Sequence, residues 1–466
     1  MLAQEGFSYD AIDNAMTASI LFELFNLTVP VQTGIATYSR GLVRAAKALN
    51  YNVDGLLHTY SALDRKDELL AEVGFFDARG RKISSFAKYV ELNWRWVVGA
   101  PRGLRPMKLS LSGAVIDARG PKSDFVDFRN LYALRLFGEI SRYHFKRYGT
   151  DAICRPEVTP AIFHTTQAIP LKVPGAANIY TIHDIVPLRL PYTTLDDKKF
   201  FLNMIRHLGR TADHIVTVSE SSRRDLIDIC GVPEERITNT YQSVSFPESL
   251  LAPSDEDVAT FVEGAFDLDY RGYFLFYGAL EPKKNVSRLI DAHLASGTTC
   301  PLVIAGGLGW EYESDLARIE EARSENYRIQ KDRILRERRV RRLGYLSLSQ
   351  LAALIRGAKA VVFPSIYEGF GLPVVESMLL GTPVLTSNTG ALAEIALDAA
   401  HTVSPFDIND IARGIRDLDH DTELRRELVE RGRRRARQFT PQEHQARLAG
   451  VYKAVGFDSG GPVRKT

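Results

Sequence analysis

Two glutamates flank a glycine-rich turn in the segment FPSIYEGFGLPVVE, residues 363–376. Glu368 stands directly before the turn, and Glu376 follows inside the helix that the turn should open, since Gly369 and Gly371 permit close backbone approach and a proline follows them. A helix N-terminus favours a phosphate or a polarised hydroxyl in front of it. Glu376 has two acceptor oxygens for a pair of vicinal hydroxyls, as a ribose offers. The pattern indicates a nucleotide-sugar site. In the alternative interpretation, Glu368 is a solvated loop residue and Glu376 only complements the helix dipole.

Two adjacent lysines and a histidine each follow an apolar run. Lys283 and Lys284 lie in GALEPKKN, where they can compensate the charge of a leaving pyrophosphate or, alternatively, remain solvated in a surface turn. His183 lies in IYTIHDIVPLRLP and can hydrogen-bond a sugar hydroxyl through either ring nitrogen. A purely structural histidine is the alternative. Asp184 is expected to brace the same loop.

Short apolar runs alternate with amphipathic helical stretches in both halves of the chain, which is typical of two α/β domains with parallel sheets. The runs predicted as strands are residues 19–25, 52–58, 161–165, 178–183 and 214–219 in the first half, and 273–278, 301–306, 341–345, 360–364 and 383–387 in the second. Ligands bind outside the carboxyl ends of parallel strands, and the lysines, the histidine and the glutamates all follow such runs.

The alternation of strands and helices is not seen between residues 60 and 155. We interpret this stretch as an insertion that is mostly helical near its end, at residues 130–148. A linker is predicted near 247–257 because proline, serine and acids cluster there. The predicted units are a first α/β domain with the irregular insertion, a second α/β domain, and a C-terminal segment that returns toward the first domain and ends in a disordered tail, at residues 1–250, 258–445 and 446–466.

The composition is that of an ordinary globular protein, with 466 residues, 45% hydrophobic and 25% charged residues. A formal net charge of +2 gives no reason to expect a nucleic acid as a partner. Two basic runs, residues 331–342 and 431–438, are interpreted as solvated helix faces. An anionic membrane surface and an acidic partner within the protein are the alternatives.

Three isolated cysteines, Cys154, Cys230 and Cys300, form no C-x-x-C pair, so we expect neither disulfides nor a zinc site. We also find no His, Asp and Glu cluster with metal-ligand spacing, no G-x-G-x-x-G motif, no cleavable signal and no membrane-spanning run. The expected location is cytoplasmic, with peripheral association at the inner face of a membrane left open and the oligomeric state undetermined.

The segment EGFGLPVVESMLLGTPVLTSNTGALAEIA resembles the donor-binding signature of the retaining family 4 glycosyltransferases. The similarity extends through YFLFYGALEPKKNVSRLIDAH, PLVIAGGLGW and RRLGYLSLSQLAALIRGAKAVVFPS, so it covers nearly all of residues 273–439. It implies the GT-B fold, two facing Rossmann-like domains with parallel sheets and a cleft between them. It also implies metal-independent transfer of a hexose, with retention of configuration, from a nucleoside diphosphate sugar and with no other cofactor.

The form Glu-Pro, basic pair, Asn is similar to that of a subgroup rich in bacterial mannosyltransferases. The resemblance therefore implies mannose from GDP-mannose as the donor and a hydroxyl of a growing polysaccharide or lipid-linked glycan as the acceptor. Ala279 departs from the family, since many members have an arginine there. Another donor, such as a UDP-sugar or a GDP-deoxyhexose, a synthase or phosphorylase, and a non-catalytic glycan-binding subunit remain alternatives.

The resemblance also assigns roles. Glu368 would hold the donor sugar and support positive charge at its anomeric carbon, with His183 facing it and Lys284 on the diphosphate; Lys283 is the weaker candidate for that contact. Glu376 would hold the ribose. The remaining donor-binding residues implied are Gly34, Gly369, Phe370, Gly371, Leu372 and Thr389.

Overall fold

The computed structural model describes residues 18–28, 34–77, 103–115, 125, 127–322, 326–330, 333–337, 339–458 and 461–462; residues 326–330, 333–337 and 461–462 are described by their backbone alone. Two large, mostly parallel sheets organise these residues, one in each half of the chain. The predicted fold of two Rossmann-like α/β domains is confirmed. The domain boundaries stay predictions.

The strands within the described ranges are β1 Ser19–Glu23, β2 Asn52–Thr59, β3 Met107–Leu109, β4 Asn130–Arg135, β5 Ala152–Ile153, β6 Ile162–Thr165, β7 Leu171–Lys172, β8 Ala177–Thr181, β9 His214–Thr217, β10 Ile237–Asn239, β11 Phe274–Tyr277, β12 Leu302–Ala305, β13 Asn326–Gln330, β14 Arg333–Glu337, β15 Val340–Leu343, β16 Ala360–Phe363, β17 Val384–Ser387, β18 His401–Val403, β19 Phe457–Asp458 and β20 Gly461–Pro462.

The helices are α1 Phe25–Thr28, α2 Gly34–Ala48, α3 Glu68–Asp77, α4 Phe137–Tyr148, α5 Val186–Arg189, α6 Lys198–Thr211, α7 Glu220–Asp228, α8 Glu248–Leu251, α9 Asp255–Phe266, α10 Val286–Ser296, α11 Glu313–Ala322, α12 Leu348–Gly357, α13 Leu372–Leu379, α14 Gly390–Ala396, α15 Ile408–His420, α16 Thr422–Ala436 and α17 Pro441–Ala454.

The sheet of the first half has the strand order β10-β9-β8-β6-β1-β2-β4-β3. Its pairs are parallel except for the edge strand β3, which runs antiparallel to β4. Strands β1, β6, β8 and β9 lie side by side and are almost wholly buried, which explains why each contains two or three large apolar residues. The carboxyl ends of these four strands therefore meet at one edge.

The sheet of the second half has the order β15-β12-β11-β16-β17-β18 and is parallel in every pair. Strands β11 and β16 are neighbours, and every residue of both is buried. The two turns singled out in the sequence, one after β11 and one after β16, thus begin from adjacent strands. Each of the ten predicted strands is present, shortened or shifted by a few residues at its ends.

Two predictions about secondary structure are wrong. Residues 130–148 are helical only in α4, because β4 pairs with β2 inside the main sheet. The described part of the basic run 331–342 forms strands and no helix face, because β14 makes an antiparallel hairpin with β13 and β15 joins the second sheet. The segment predicted as a linker contains α8 and the start of α9, which Ser254 caps in a capping box with Asp257, and its role as a linker stays a prediction. Residues 78–102, 116–124 and 126 of the predicted insertion lie outside the described residues, as does most of the predicted tail.

The C-terminal helix α17 packs against α2 of the first half. Its Tyr452 is fully buried, with its hydroxyl 3.2 Å from Nδ1 of His164 in β6. His444 lies with Nδ1 3.3 Å from the Thr240 carbonyl oxygen. The end of the chain is thereby fastened to the first domain.

Candidate active site

The lysine pair and Glu368 form one cluster at the carboxyl ends of β11 and β16. The turn Pro282–Lys284 is held to the loop after β16 because the backbone N–H of Ile366 donates to the Lys283 carbonyl at 2.8 Å. Nζ of Lys283 lies 3.2 Å from Oε2 of Glu368, and Nζ of Lys284 lies 2.6 Å from Oε1. One carboxylate therefore accepts hydrogen bonds from both ammonium groups.

Electrostatics keep this cluster charged. Glu368 is only 8% exposed, and burial alone would raise the pKa of its carboxyl group, but the ammonium groups of Lys283 and Lys284 lower that pKa to about 2. Burial alone would also lower the pKa of Lys283, but the carboxylate of Glu368 and those of Asp184 and Glu281 raise it above its ordinary value. The site thus holds two cations and an ionised acceptor at neutral pH.

The two lysines have different surroundings. Lys283 is surrounded by three acids, whereas Lys284 pairs with Glu368 and lies with Nζ 4.9 Å from the centre of the Phe363 ring. The carboxylate of Glu281 also interacts with Lys284, so the surroundings of the two lysines differ in Asp184, which acts on Lys283, and in the aromatic ring beside Lys284.

Helix α13 begins at Leu372, directly after the glycine turn. Gly371 has φ 112°, which places it in the left-handed region, and a Cβ there would lie 2.6 Å from Cδ2 of Leu392. Only glycine meets both conditions without displacing a neighbour. Glu376 lies one turn into the helix, with Oε2 3.0 Å from the hydroxyl of Tyr277, and burial raises the pKa of its carboxyl group. The carboxylate retains acceptor capacity beyond that tyrosine.

The loop of His183 crosses from the first domain to the glycine turn of the second. A Cβ on Gly369 would lie 2.6 Å from the His183 carbonyl oxygen, so only glycine allows this approach. The Ser222 hydroxyl lies 2.8 Å from the carbonyl oxygen of His183 and 3.3 Å from that of Gly369. Asp184 braces the loop by accepting from the backbone N–H of Val186 at 3.0 Å, as predicted.

The imidazole of His183 is held on two sides. Nε2 lies 2.9 Å from the carbonyl oxygen of Thr166, which can only accept, so Nε2 carries the hydrogen. The ring of Tyr38 contacts the imidazole edge to face, with 4.8 Å between ring centroids. Burial lowers the pKa of His183, so the ring is neutral at pH 7. Its Nδ1 atom therefore bears a lone pair and acts as an acceptor.

Two further predicted residues lie where the domains meet. A Cβ on Gly34, at the start of α2, would come 3.2 Å from Cδ1 of Leu372 at the start of α13. The ring of Phe370 is buried and lies 6.4 Å from that of Tyr241 and 5.5 Å from that of Phe439, measured between centroids. The side chain of Phe370 thus packs in an aromatic cluster that joins Tyr241 of the first domain to Phe439 of the second.

Thr389 occupies the N-cap position of α14 without a side-chain cap hydrogen bond. Glu394 of α14 caps α7 of the first domain, since its two carboxylate oxygens accept from the backbone N–H groups of Glu220 and Ser221, each at 2.8 Å. Arg435 in the predicted solvated run 431–438 donates to the carbonyl oxygens of Ile395 and Glu394 and is half-buried, so that prediction is wrong for this residue.

Among the described residues, no group of three or more His, Cys, Asp or Glu is arranged to hold a metal ion. In the same part of the chain, every helix is too short or too polar to cross a membrane.

Two family models match the chain, one in each domain. "Glycosyl transferases group 1" matches residues 267–435, and "Glycosyltransferase Family 4" matches residues 33–244. The chain belongs to the family 4-like GT-B glycosyltransferases. The first match spans Lys283, Lys284, Glu368 and Glu376, and the second spans His183.

Curated relatives include two mannosyltransferases of Escherichia coli. O-antigen chain mannosyltransferase B is 29% identical over 282 residues, which are 59% of this chain and 70% of that protein. The serotype-specific mannosyltransferase WbdA is 27% identical over 270 residues, 56% of this chain. The match spans 32% of WbdA, about a third of its length.

Solved structures share the fold at low sequence identity. Sucrose-phosphate synthase from Thermosynechococcus elongatus superimposes with a TM-score of 0.62 at 17% identity, over 94% of this chain and 98% of that one. HepE from Anabaena, in complex with UDP and glucose, gives a TM-score of 0.60 at 15% identity over 94% and 99% of the two chains. At these identities the likeness shows the GT-B fold alone.

The structure brings the predicted residues Lys283, Lys284 and Glu368 into direct contact and places the backbone of His183 against Gly369. Glu376 contacts Tyr277 instead. Sequence analysis missed the other residues that shape the site, which are Glu23, Tyr38, Thr166, Ser222 and Tyr277. Of these five residues, only Glu23 could have been found from the sequence, because it is a charged residue at the end of an otherwise apolar strand.

Proposed function

We propose that this protein transfers a hexose from a nucleoside diphosphate sugar to a hydroxyl group of a growing polysaccharide or lipid-linked glycan, with retention of anomeric configuration. Mannose from GDP-mannose is the proposed donor. The observation that carries the proposal is the meeting of Lys283 and Lys284 on Glu368, against the His183 loop of the opposite domain.

The second domain offers groups for each part of such a donor. Glu376 would accept hydrogen bonds from the ribose hydroxyls, since its carboxylate lies one turn into α13 with acceptor capacity to spare. The N-terminus of α13 favours the phosphates. Lys284 would leave Glu368 and bind the diphosphate, while Lys283 would continue to interact with three carboxylates.

The same exchange would free Glu368 for the sugar. Its carboxylate, already ionised, would accept hydrogen bonds from sugar hydroxyls and stabilise positive charge at the anomeric carbon as the bond to the diphosphate breaks. The acceptor hydroxyl would form its bond to that carbon on the same face. Its proton would pass to the departing diphosphate oxygen, which balances the charge without a protein base.

His183 would act as a hydrogen-bond acceptor in this scheme. Its neutral ring has hydrogen on Nε2 and a lone pair on Nδ1, which suits a hydroxyl of the donor sugar. Lys284 and the N-terminus of α13 would supply the positive charge for the leaving group, so that a divalent cation is not required.

The choice of mannose is supported by the relatives. Proteins described as O-antigen chain mannosyltransferases from Escherichia coli and Salmonella typhimurium match this chain at 29% and 27% identity, over 59% and 51% of its length. A UDP-sugar, a GDP-deoxyhexose or another hexose would require a different fit around the base or the sugar.

The test is release of nucleoside diphosphate from a panel of sugar nucleotides by the purified full chain, with lipid-linked and soluble glycan acceptors. We expect release from GDP-mannose, and an α-linked product by NMR, because the donor is α-linked and its configuration is retained. The Glu368→Gln variant is the control for enzyme-dependent release. Release only with another donor would replace mannose, and a requirement for inorganic phosphate would identify a phosphorylase. No release with any donor, together with glycan binding, would identify a non-catalytic subunit.

A further inference from the structure

Glu23 is a fully buried carboxylate at the carboxyl end of β1 that the proposed reaction does not use. Oε1 accepts from the backbone N–H of Phe25 at 2.9 Å and from Nε2 of Gln167 at 3.1 Å. Oε2 accepts from the backbone N–H and from the hydroxyl of Thr166, each at 3.2 Å. Four donors converge on it, which favours the ionised form although burial raises the pKa of the carboxyl group.

These hydrogen bonds fix the turn that follows β6. Glu23 pairs with Thr165 in the parallel register of β1 and β6, so its side chain lies at the start of the turn. Two of the three residues it contacts, Thr166 and Gln167, belong to that turn. Burying a carboxylate costs free energy, which the four hydrogen bonds offset, and the same bonds order the backbone of this turn.

The Thr166 carbonyl group is the partner of His183 Nε2 at 2.9 Å. A carbonyl oxygen can only accept, so its position selects the histidine tautomer with hydrogen on Nε2. The sheet register supports this arrangement, because β6 lies between β1 and β8 and the chain reaches His183 two residues after β8 ends.

We propose that Glu23 is a positioning residue that holds the Thr166 carbonyl against His183 and thereby fixes the histidine as its Nε2–H tautomer, leaving Nδ1 as the hydrogen-bond acceptor. The use of Nδ1 toward a sugar hydroxyl rests on the proposed function; the tautomer itself does not. Glu23 makes no contact with the reacting groups in this scheme. It acts through Thr166 and His183.

The first experiment is NMR of the full chain labelled with 15N-histidine, in the absence of substrate. The chain has 10 histidines, and a His183→Gln variant assigns the signal of interest. At pH 7.5 we expect a protonated Nε2 and an unprotonated Nδ1 for His183. A ring protonated on Nδ1, or on both nitrogens, would overturn the proposal.

The second experiment replaces Glu23 with glutamine. One side of its amide carries hydrogens, which cannot accept from the donors that surround Glu23. We expect a mixture of His183 tautomers in Glu23→Gln. The matched control is Glu72→Gln, because Glu72 is also a buried carboxylate (1% exposed) but accepts from Ser112 in another part of the first domain. The control should keep the signal of the parent. A parental signal in Glu23→Gln would overturn the proposal.

If Glu23→Gln fails to fold, the double variant Thr166→Val with Gln167→Met removes two of the donors and keeps the carboxylate. It should move the tautomer in the same direction by a smaller amount, and an unchanged signal contradicts the proposal. These measurements need no sugar nucleotide, so their failure is distinguishable from failure of the proposed activity.

Once the donor is known, a double-mutant cycle separates positioning from general destabilisation. We expect Glu23→Gln to lower kcat/KM roughly 10-fold in the parent, but by less than about 2-fold in the His183→Gln background, because the effect passes through His183. Equal losses in both backgrounds would assign Glu23 a merely structural role.

Discussion

Replacing each lysine of the pair with methionine should separate two functions that the sequence places side by side. Methionine keeps an unbranched apolar stem but removes the charge. Lys284 forms an ion pair with Glu368 and also interacts with Glu281, whereas Lys283 interacts with Glu368, Asp184 and Glu281. We expect Lys284→Met to impair turnover and Lys283→Met to impair stability.

The magnitude for Lys284→Met follows from where charge develops. Negative charge grows on the diphosphate as the glycosidic bond breaks, so a cation that meets it stabilises the transition state more than the bound donor. Loss of one preorganised donor costs on the order of 100-fold in kcat, or about 2.7 kcal/mol. Because residue 279 is alanine, no cation at that position can compensate for the loss. The KM for the donor should change little.

The loss of stability in Lys283→Met follows from the buried carboxylates that would lose the ammonium group of Lys283. Removing one partner of a buried ion pair costs about 3–5 kcal/mol, which lowers the midpoint of thermal unfolding by roughly 6 to 20 °C in a domain of about 200 residues. In Lys284→Met, Lys283 remains to interact with Glu368, Asp184 and Glu281, so the decrease should be smaller.

The assay is steady-state release of nucleoside diphosphate by both variants and the parent, with the unfolding midpoint measured by calorimetry. Loss of kcat in Lys283→Met with parental turnover in Lys284→Met would show that the roles are reversed. If both variants keep full turnover, the diphosphate binds elsewhere.

Three further outcomes are expected. Glu376→Gln should weaken binding of the free nucleoside diphosphate by roughly 10- to 150-fold in calorimetric titration, because charge-assisted hydrogen bonds to the ribose are lost. Tyr277→Phe, which leaves the carboxylate in place, should have a smaller effect, and equal affinities for all three proteins would remove Glu376 from the site. Transfer should continue in excess EDTA; complete loss that Mg²⁺ or Mn²⁺ restores would refute metal-independent catalysis. Glu368 has a folded-state pKa of about 2 against an ordinary value of 4.5, so it stabilises the fold above pH 4.5 and ceases to do so as the pH falls toward 2. Between pH 5 and 3, the midpoint of thermal unfolding should therefore decrease less in Glu368→Gln than in the parent. An equal decrease in both proteins would contradict the pairing of Glu368 with the lysines.

Local patterns predicted the fold because buried parallel strands carry a signal that does not depend on their neighbours. Continuous apolar runs such as residues 360–364 and 214–219 become strands wherever both faces of a sheet are covered. The prediction failed at residues 130–135, where an aromatic-rich run resembles part of a helix. Pairing with β2 decides that segment, and no local pattern records a partner more than 70 residues away.

The sequence by itself determined the α/β class, the placement of the lysines, His183 and the glutamates after strands, and the resemblance that places the chain among family 4 glycosyltransferases. Only the tertiary structure decided that both lysines meet on Glu368, that Glu394 caps a helix of the opposite domain, and that Glu23 reaches His183 through Thr166. The reason is physical. A strand or a helix turn depends on residues a few positions apart, whereas an ion pair or a tautomer depends on atoms that the sheet registers bring together from distant parts of the chain.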